Sequence, residues 1–120
     1  MAKKGKTDPT PTEAQVEQYE MLYPILTNLL VETKELSKKK PDNPLNKLKV
    51  QMVNKILLQV KDVLANDPAL QFLDMLDDET LPSNSDAVFI IAQYEAAMEQ
   101  FRSKHYYQDK NTYKMRWHTK

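Results

Sequence analysis

Apolar side chains recur with helical spacing over three long stretches of this chain. In the first, Tyr19, Leu22, Leu26, Leu29, Thr33 and Leu36 alternate intervals of three and four, which stacks them along one face of a helix. The spacing predicts a helix from Thr12 to Ser37, with Thr12 as N-cap after Pro11 and Glu13 near the positive end of the helix dipole. Glu17, Glu20, Glu32 and Glu35 lie mainly away from the seam. Pro24 falls inside the helix and removes the hydrogen bond to the Glu20 carbonyl. Because the seam continues in register on both sides, a kink is expected there rather than a break.

The segment Ser37–Asn43, SKKKPDN, ends this helix: three lysines suit its negative C-terminus and Pro41 stops it. Asn43-Pro44 reads as an N-cap followed by proline at the first helical position. A second helix is predicted from Pro44 to Asn66, its stripe built by Leu45, Leu48, Met52, Val53, Ile56, Leu57, Val60, Val63 and Leu64. Leu58 stands apart on the polar back face, as a solitary exposed leucine or as a contact with another chain or with the tail. The short connection makes the first two helices antiparallel neighbours.

Asp67-Pro68 repeats the cap-then-proline pattern before a short helix, residues 69–76, expected to bury Leu70, Phe72, Leu73 and Leu76. The loop DDETLPSN follows, and Ser83 or Ser85 caps a last helix running to about Tyr107. Ala87, Ile90, Ile91, Tyr94, Ala97, Met98 and Phe101 share one face, which His105 extends; Phe89, Ala92 and Ala96 lie opposite. A helix apolar on two sides is central in its bundle or meets a second chain.

The expected architecture is therefore all-α: a small antiparallel bundle of three long helices plus one short helix. Residues 1–11 form a basic tail expected to be disordered, residues 12–107 the bundle, and residues 108–120 a basic, aromatic tail. At 120 residues one domain is expected.

Composition narrows the function. Lysine plus arginine equals aspartate plus glutamate, 17 against 17, so no whole-molecule field directs the chain to nucleic acid or membrane. There is no cysteine, hence no disulfide framework, thiolate metal site or thiol nucleophile. Gly5 is the only glycine, whereas phosphate-binding loops and nucleophile elbows need glycine to bring backbone close to a ligand. No apolar run approaches the roughly 18 residues of a membrane span, and no apolar segment follows the basic N-terminus. A cytoplasmic protein without cofactor, metal or small-molecule substrate is expected.

Candidate chemistry is sparse. His105 and His118 have no ligand-spaced partner, and Arg102–His105 is shorter than the arginine–histidine spacing usual in helical ribonucleases. Asp74, Asp77, Asp78 and Glu79 cluster, but without the glycine or spacing of a calcium loop. They read as a solvated acidic loop or as a patch for a basic surface. The segment from Arg102 onward carries six cations against Asp109 and interleaves Tyr106, Tyr107, Tyr113 and Trp117. Three uses are open: packing of the rings on the bundle, docking to a protein, and binding of single-stranded nucleic acid through phosphate charge and base stacking. Tyr113, Met115 and Trp117 alternate with Lys114, Arg116 and His118, as an added edge strand requires. These readings point to a non-enzymatic interaction protein, an adaptor or small subunit, with a protein partner or a second copy. The alternative is a nucleic-acid-binding accessory factor. Leu58, Phe89, Arg102, His105, Tyr113, Arg116 and Trp117 are the candidate contact residues.

Overall fold

The computed structural model describes residues 10–120. It is mostly helical: α1 (Glu13–Lys39), α2 (Lys47–Val63), a 3-10 helix (Pro68–Phe72), α3 (Asn84–His105), then strands β1 (Tyr106–Gln108) and β2 (Met115–Trp117). Thr12 caps α1 in a full capping box, its hydroxyl accepting from Gln15 N–H while the Gln15 side chain accepts from Thr12 N–H. The helix continues unbroken through Pro24.

The second helix begins three residues later than its sequence predicts. Asn46, not Asn43, is the N-cap, accepting from Lys49 N–H at 2.9 Å. Residues 43–46 are held extended instead: Leu45 N–H donates to the Pro82 carbonyl, Asn84 N–H donates to the Asn43 carbonyl, and Pro44 bridges Ser83. Pairing of residues 43–45 with the segment that leads into α3 keeps them extended, so the helix starts only after them.

The short α-helix expected over residues 69–76 is also corrected. Asp67 caps a 3-10 turn that stops at Phe72, and residues 73–76 form neither helix nor strand. Asn54 explains this: its side chain donates to the Leu76 carbonyl and accepts from Leu76 N–H, at 2.8 and 2.9 Å. The Tyr94 hydroxyl donates to the Asp74 carbonyl at 2.7 Å. These bonds satisfy backbone groups that a helix would otherwise have paired internally. Leu73 and Leu76 enter the core as expected, but Phe72 points outward.

One core joins the elements. Leu26, Leu57, Val60, Val63, Ile91, Tyr94 and Met98 are fully buried within it. Leu29, Ile56 and Ile90, which their spacing places on the apolar faces, are only half-buried, because Leu30, Leu57 and Ile91 take the inward positions. The start of α1 meets the end of α2 where the Gln15 amide donates to the Val63 carbonyl. Farther along, α1 meets α3 through Tyr23 and Glu99, and its end meets the start of α3, where the Asn84 amide donates to the Lys40 carbonyl. The expected disorder of the N-terminal tail concerns, over residues 1–9, positions outside the described residues. At its end Pro11 is buried, and its carbonyl accepts from Lys120 N–H at 2.9 Å.

Candidate interaction site

The helix α3 ends at His105, two residues short of the prediction, because Tyr106 turns into a strand. β1 and β2 form an antiparallel hairpin with Tyr106 opposite Trp117, Tyr107 opposite Arg116, and Gln108 opposite Met115. Of the alternating tail, Met115–Trp117 is a strand whose partner is this chain's own segment, whereas Tyr113 lies in the turn. Asp109 organises the turn. Its carboxylate accepts from Asn111 N–H and pairs with the Arg116 guanidinium at 3.1 Å. Tyr113, in the left-handed region at φ 60°, closes the turn by donating its N–H to the Asp109 carbonyl.

Alternation along the strands sends Trp117 and Tyr106 to one face and Tyr107 and Arg116 to the other. Trp117 meets Tyr19 edge-on with ring centroids 5.0 Å apart, and touches Phe101 and Tyr106. Its indole N–H donates to the Glu20 carboxylate at 3.1 Å. Tyr19 in turn stacks on Tyr23 and Phe101, and Phe101 meets His105 edge-on. The result is a continuous aromatic seam from α1 to the hairpin, in arrangements that add to simple area burial.

Burial and neighbouring charge set the seam's electrostatics. Burial pushes the Tyr19 phenol up to about 12, and its hydroxyl is a buried polar atom with no hydrogen-bond partner. The hydrogen bond to Glu99, at 2.6 Å, raises the Tyr23 phenol. His105 is held below its usual range, chiefly by burial and next by the Lys104 ammonium. Lys104 itself pairs with Asp67 at 3.0 Å.

The seven residues singled out by the sequence separate into three groups. Trp117, His105 and Arg102 converge on the aromatic seam, Arg102 with its guanidinium 4.3 Å from the centre of the Tyr106 ring. There they are occupied by internal contacts. Arg116 is paired within the hairpin, and Tyr113 stands 74% exposed at its turn. Leu58 and Phe89 remain open, 56% and 69% exposed.

Sequence reasoning missed the neighbour of Phe89. Phe72, expected in the core, is 71% exposed and lines with Phe89, Asp74 and Ile90 a cleft of about 250 Å³. A second feature it missed is a groove of about 430 Å³ between the last turns of α1 and the first of α2, lined by Leu29, Val31, Leu36, Met52 and Val53. Glu32, Glu35 and Lys49 also line it, and Lys39 and Lys40 line an adjoining depression. The sequence also holds a segregation of charge that its analysis passed over. Residues 34–61 hold eight lysines against Glu35 and Asp42, whereas residues 62–101 hold nine carboxylates and no lysine or arginine. Net neutrality concealed this segregation.

Among the described residues no cluster of three or more histidines and carboxylates is placed to hold a metal ion. Asp77 accepts from the backbone N–H groups of Glu79 and Thr80, which hold its carboxyl below the usual range. None of the described helices is long and apolar enough to cross a membrane. In comparison with known proteins, the chain matches no family model, no curated protein and no solved structure.

Proposed function

We propose that this chain is a non-enzymatic interaction protein, an adaptor or small subunit, that binds another protein through exposed apolar side chains on its helices. The reading includes an arrangement: α1 runs antiparallel to α2 and α3 in a small bundle. The Gln15–Val63, Tyr23–Glu99 and Asn84–Lys40 contacts support it. One observation carries the functional reading. Phe72 and Phe89, two large apolar rings, stand beside one cleft with most of their surface in water. Single exposed apolar residues are ordinary, but adjacent aromatic ones mark interaction sites, where buried aromatic side chains supply much of the binding energy. The test is affinity capture from the native cell with the full chain and with Phe72→Ser/Phe89→Ser. Loss of a specific protein with the variant supports the reading; an unchanged set of captured proteins overturns it.

The hairpin favours a second reading, a nucleic-acid-binding accessory factor. Tyr107 and Tyr113 are exposed near Lys110, Lys114 and Arg116, a combination suited to single strands. The internal roles of Trp117 and Arg116 leave fewer groups for it. Binding of a single-stranded probe at low salt, weakening by a log–log slope of about 0.7 for each phosphate neutralised, is its test.

A further inference from the structure

We infer that the end of the molecule where α1 gives way to α2 binds a small amphiphile, a single alkyl chain with an anionic head. Two depressions adjoin there and share Leu36, Leu45 and Lys49 in their walls. The larger is the groove of about 430 Å³ between α1 and α2, lined mainly by hydrocarbon, with Val31 and Met52 each 57% exposed. Its volume lies within the roughly 300–1,000 Å³ of small-molecule sites. The smaller, of about 310 Å³, adds Lys39 and Lys40 to Lys49 and has no carboxylate in its lining. An apolar trough joined to a cationic one matches a molecule that is apolar along its length and negative at one end.

The charges around the two depressions fix the orientation. Glu32 and Glu35 line the groove, and each has a partner on its own helix. Glu32 accepts from the Asn28 amide at 3.3 Å, and Glu35 pairs with Lys38 at 3.4 Å. The Thr33 hydroxyl is likewise tied, donating to the Leu29 carbonyl at 2.7 Å. These carboxylates repel an anionic head from the groove and leave its apolar wall to the chain. Among the described residues, Lys39, Lys40 and Lys49 have no ion-pair partner. Asn46, the N-cap of α2, lines the smaller depression as well, so the positive end of that helix dipole acts with the lysines. α1 ends at the same place, but the carbonyls of Leu36 and Lys40 accept from Lys40 N–H and from the Asn84 amide, which offsets its negative end. The head therefore sits among the lysines while the chain covers apolar wall that water otherwise wets.

Isothermal titration of the full-length chain with octanoate, decanoate and laurate, each below the concentration at which it forms micelles, tests the site. A single molecule is expected per chain, with each added methylene tightening binding by at most about fourfold, the worth of a fully buried CH₂. Inorganic phosphate, a head without a chain, and dodecyltrimethylammonium, a chain with a cationic head, are expected to bind more weakly than laurate. Lys39→Gln/Lys49→Gln should weaken laurate by up to about fivefold per lysine, the range of exposed ion pairs, and narrow its advantage over dodecyltrimethylammonium. Val31→Asp/Met52→Asp should remove the gain with chain length, because the walls then set carboxylates against hydrocarbon. All four positions are exposed, so thermal melts close to that of the unaltered chain are expected for both variants. Phe72→Ser/Phe89→Ser, whose rings line neither depression, should bind laurate as the unaltered chain does.

The comparison among ligands needs no variant, and an affinity that does not rise with chain length, or is equal for laurate and dodecyltrimethylammonium, overturns the proposal. So does laurate binding that survives both pairs of substitutions, or that is lost with Phe72→Ser/Phe89→Ser. Binding to phosphatidylserine vesicles without binding of free laurate overturns the single ligand in favour of a membrane surface.

Discussion

The indole of Trp117 lies edge-on against the ring of Tyr19, tilted 66° to it, and hydrogen-bonds the carboxylate of the next residue, Glu20. This contact joins the last strand to the first helix across almost the whole length of the chain. It gives the basic, aromatic tail a part in the fold, whatever its outer face binds.

Trp117→Ala is therefore expected to destabilise the protein. Fully buried tryptophans cost about 3–5 kcal/mol on truncation, and the partial exposure of this one sets the expectation near or below the lower end. Deleting residues 108–120 should cost at least as much. Urea unfolding followed by circular dichroism checks both, and an unchanged midpoint for the deletion would show that the hairpin only rests on the helices.

Neighbouring positions discriminate the true core face. Leu30→Ala and Leu57→Ala remove buried side chains and are expected to cost about 2–5 kcal/mol each. Leu29→Ala and Ile56→Ala, one position away and half-buried, are expected to cost clearly less. Equal losses within either adjacent pair would mean that the helix is rotated relative to this structure.

His105 makes stability depend on pH. Its folded-state pKa is lowered from 6.5, first by burial and then by Lys104, with Asp67 opposing and His118 adding to the effect. The unfolded chain thus binds the proton more readily than the folded one, and stability must rise with pH while that difference lasts. The contribution is complete above about pH 6.5 and is lost as pH falls through and below that value. His105→Gln should flatten the change in denaturation midpoint between mildly acidic and neutral pH. The same slope in the variant would assign it to other groups.

Tyr113 carries a side chain where the backbone has a positive φ. Left-handed geometry costs a non-glycine residue about 1–2 kcal/mol, and the exposed ring offers little packing in return. Allowing for the extra unfolded-state freedom of glycine, Tyr113→Gly is expected to raise stability by a few tenths to about 1 kcal/mol. A lower melting temperature would show that the ring contributes more than its exposure suggests.

The helices were legible in the sequence because local rules set them. Thr12 with Gln15, and Ser83 with Asp86, satisfy orphan N–H groups within one turn, and apolar spacing selects a face from nearest neighbours alone. The exposure of Phe72 and the position of the cap at Asn46 were not legible. Each depends on a distant partner, Asn54 holding Leu76 and Pro82 holding Leu45, which local propensity does not contain. The tail lies between these cases. The alternation held for Met115 to Trp117 but not for Tyr113, and the side chains that Trp117 meets, Tyr19 and Phe101, come together only when α1 and α3 pack. Charge order was written along the chain as well, lysines over residues 34–61 and carboxylates over residues 62–101. Only tertiary structure opened an apolar groove between α1 and α2 and left the rings of Phe72 and Phe89 uncovered beside one cleft, because a surface is defined by which residues are left uncovered once the core has closed.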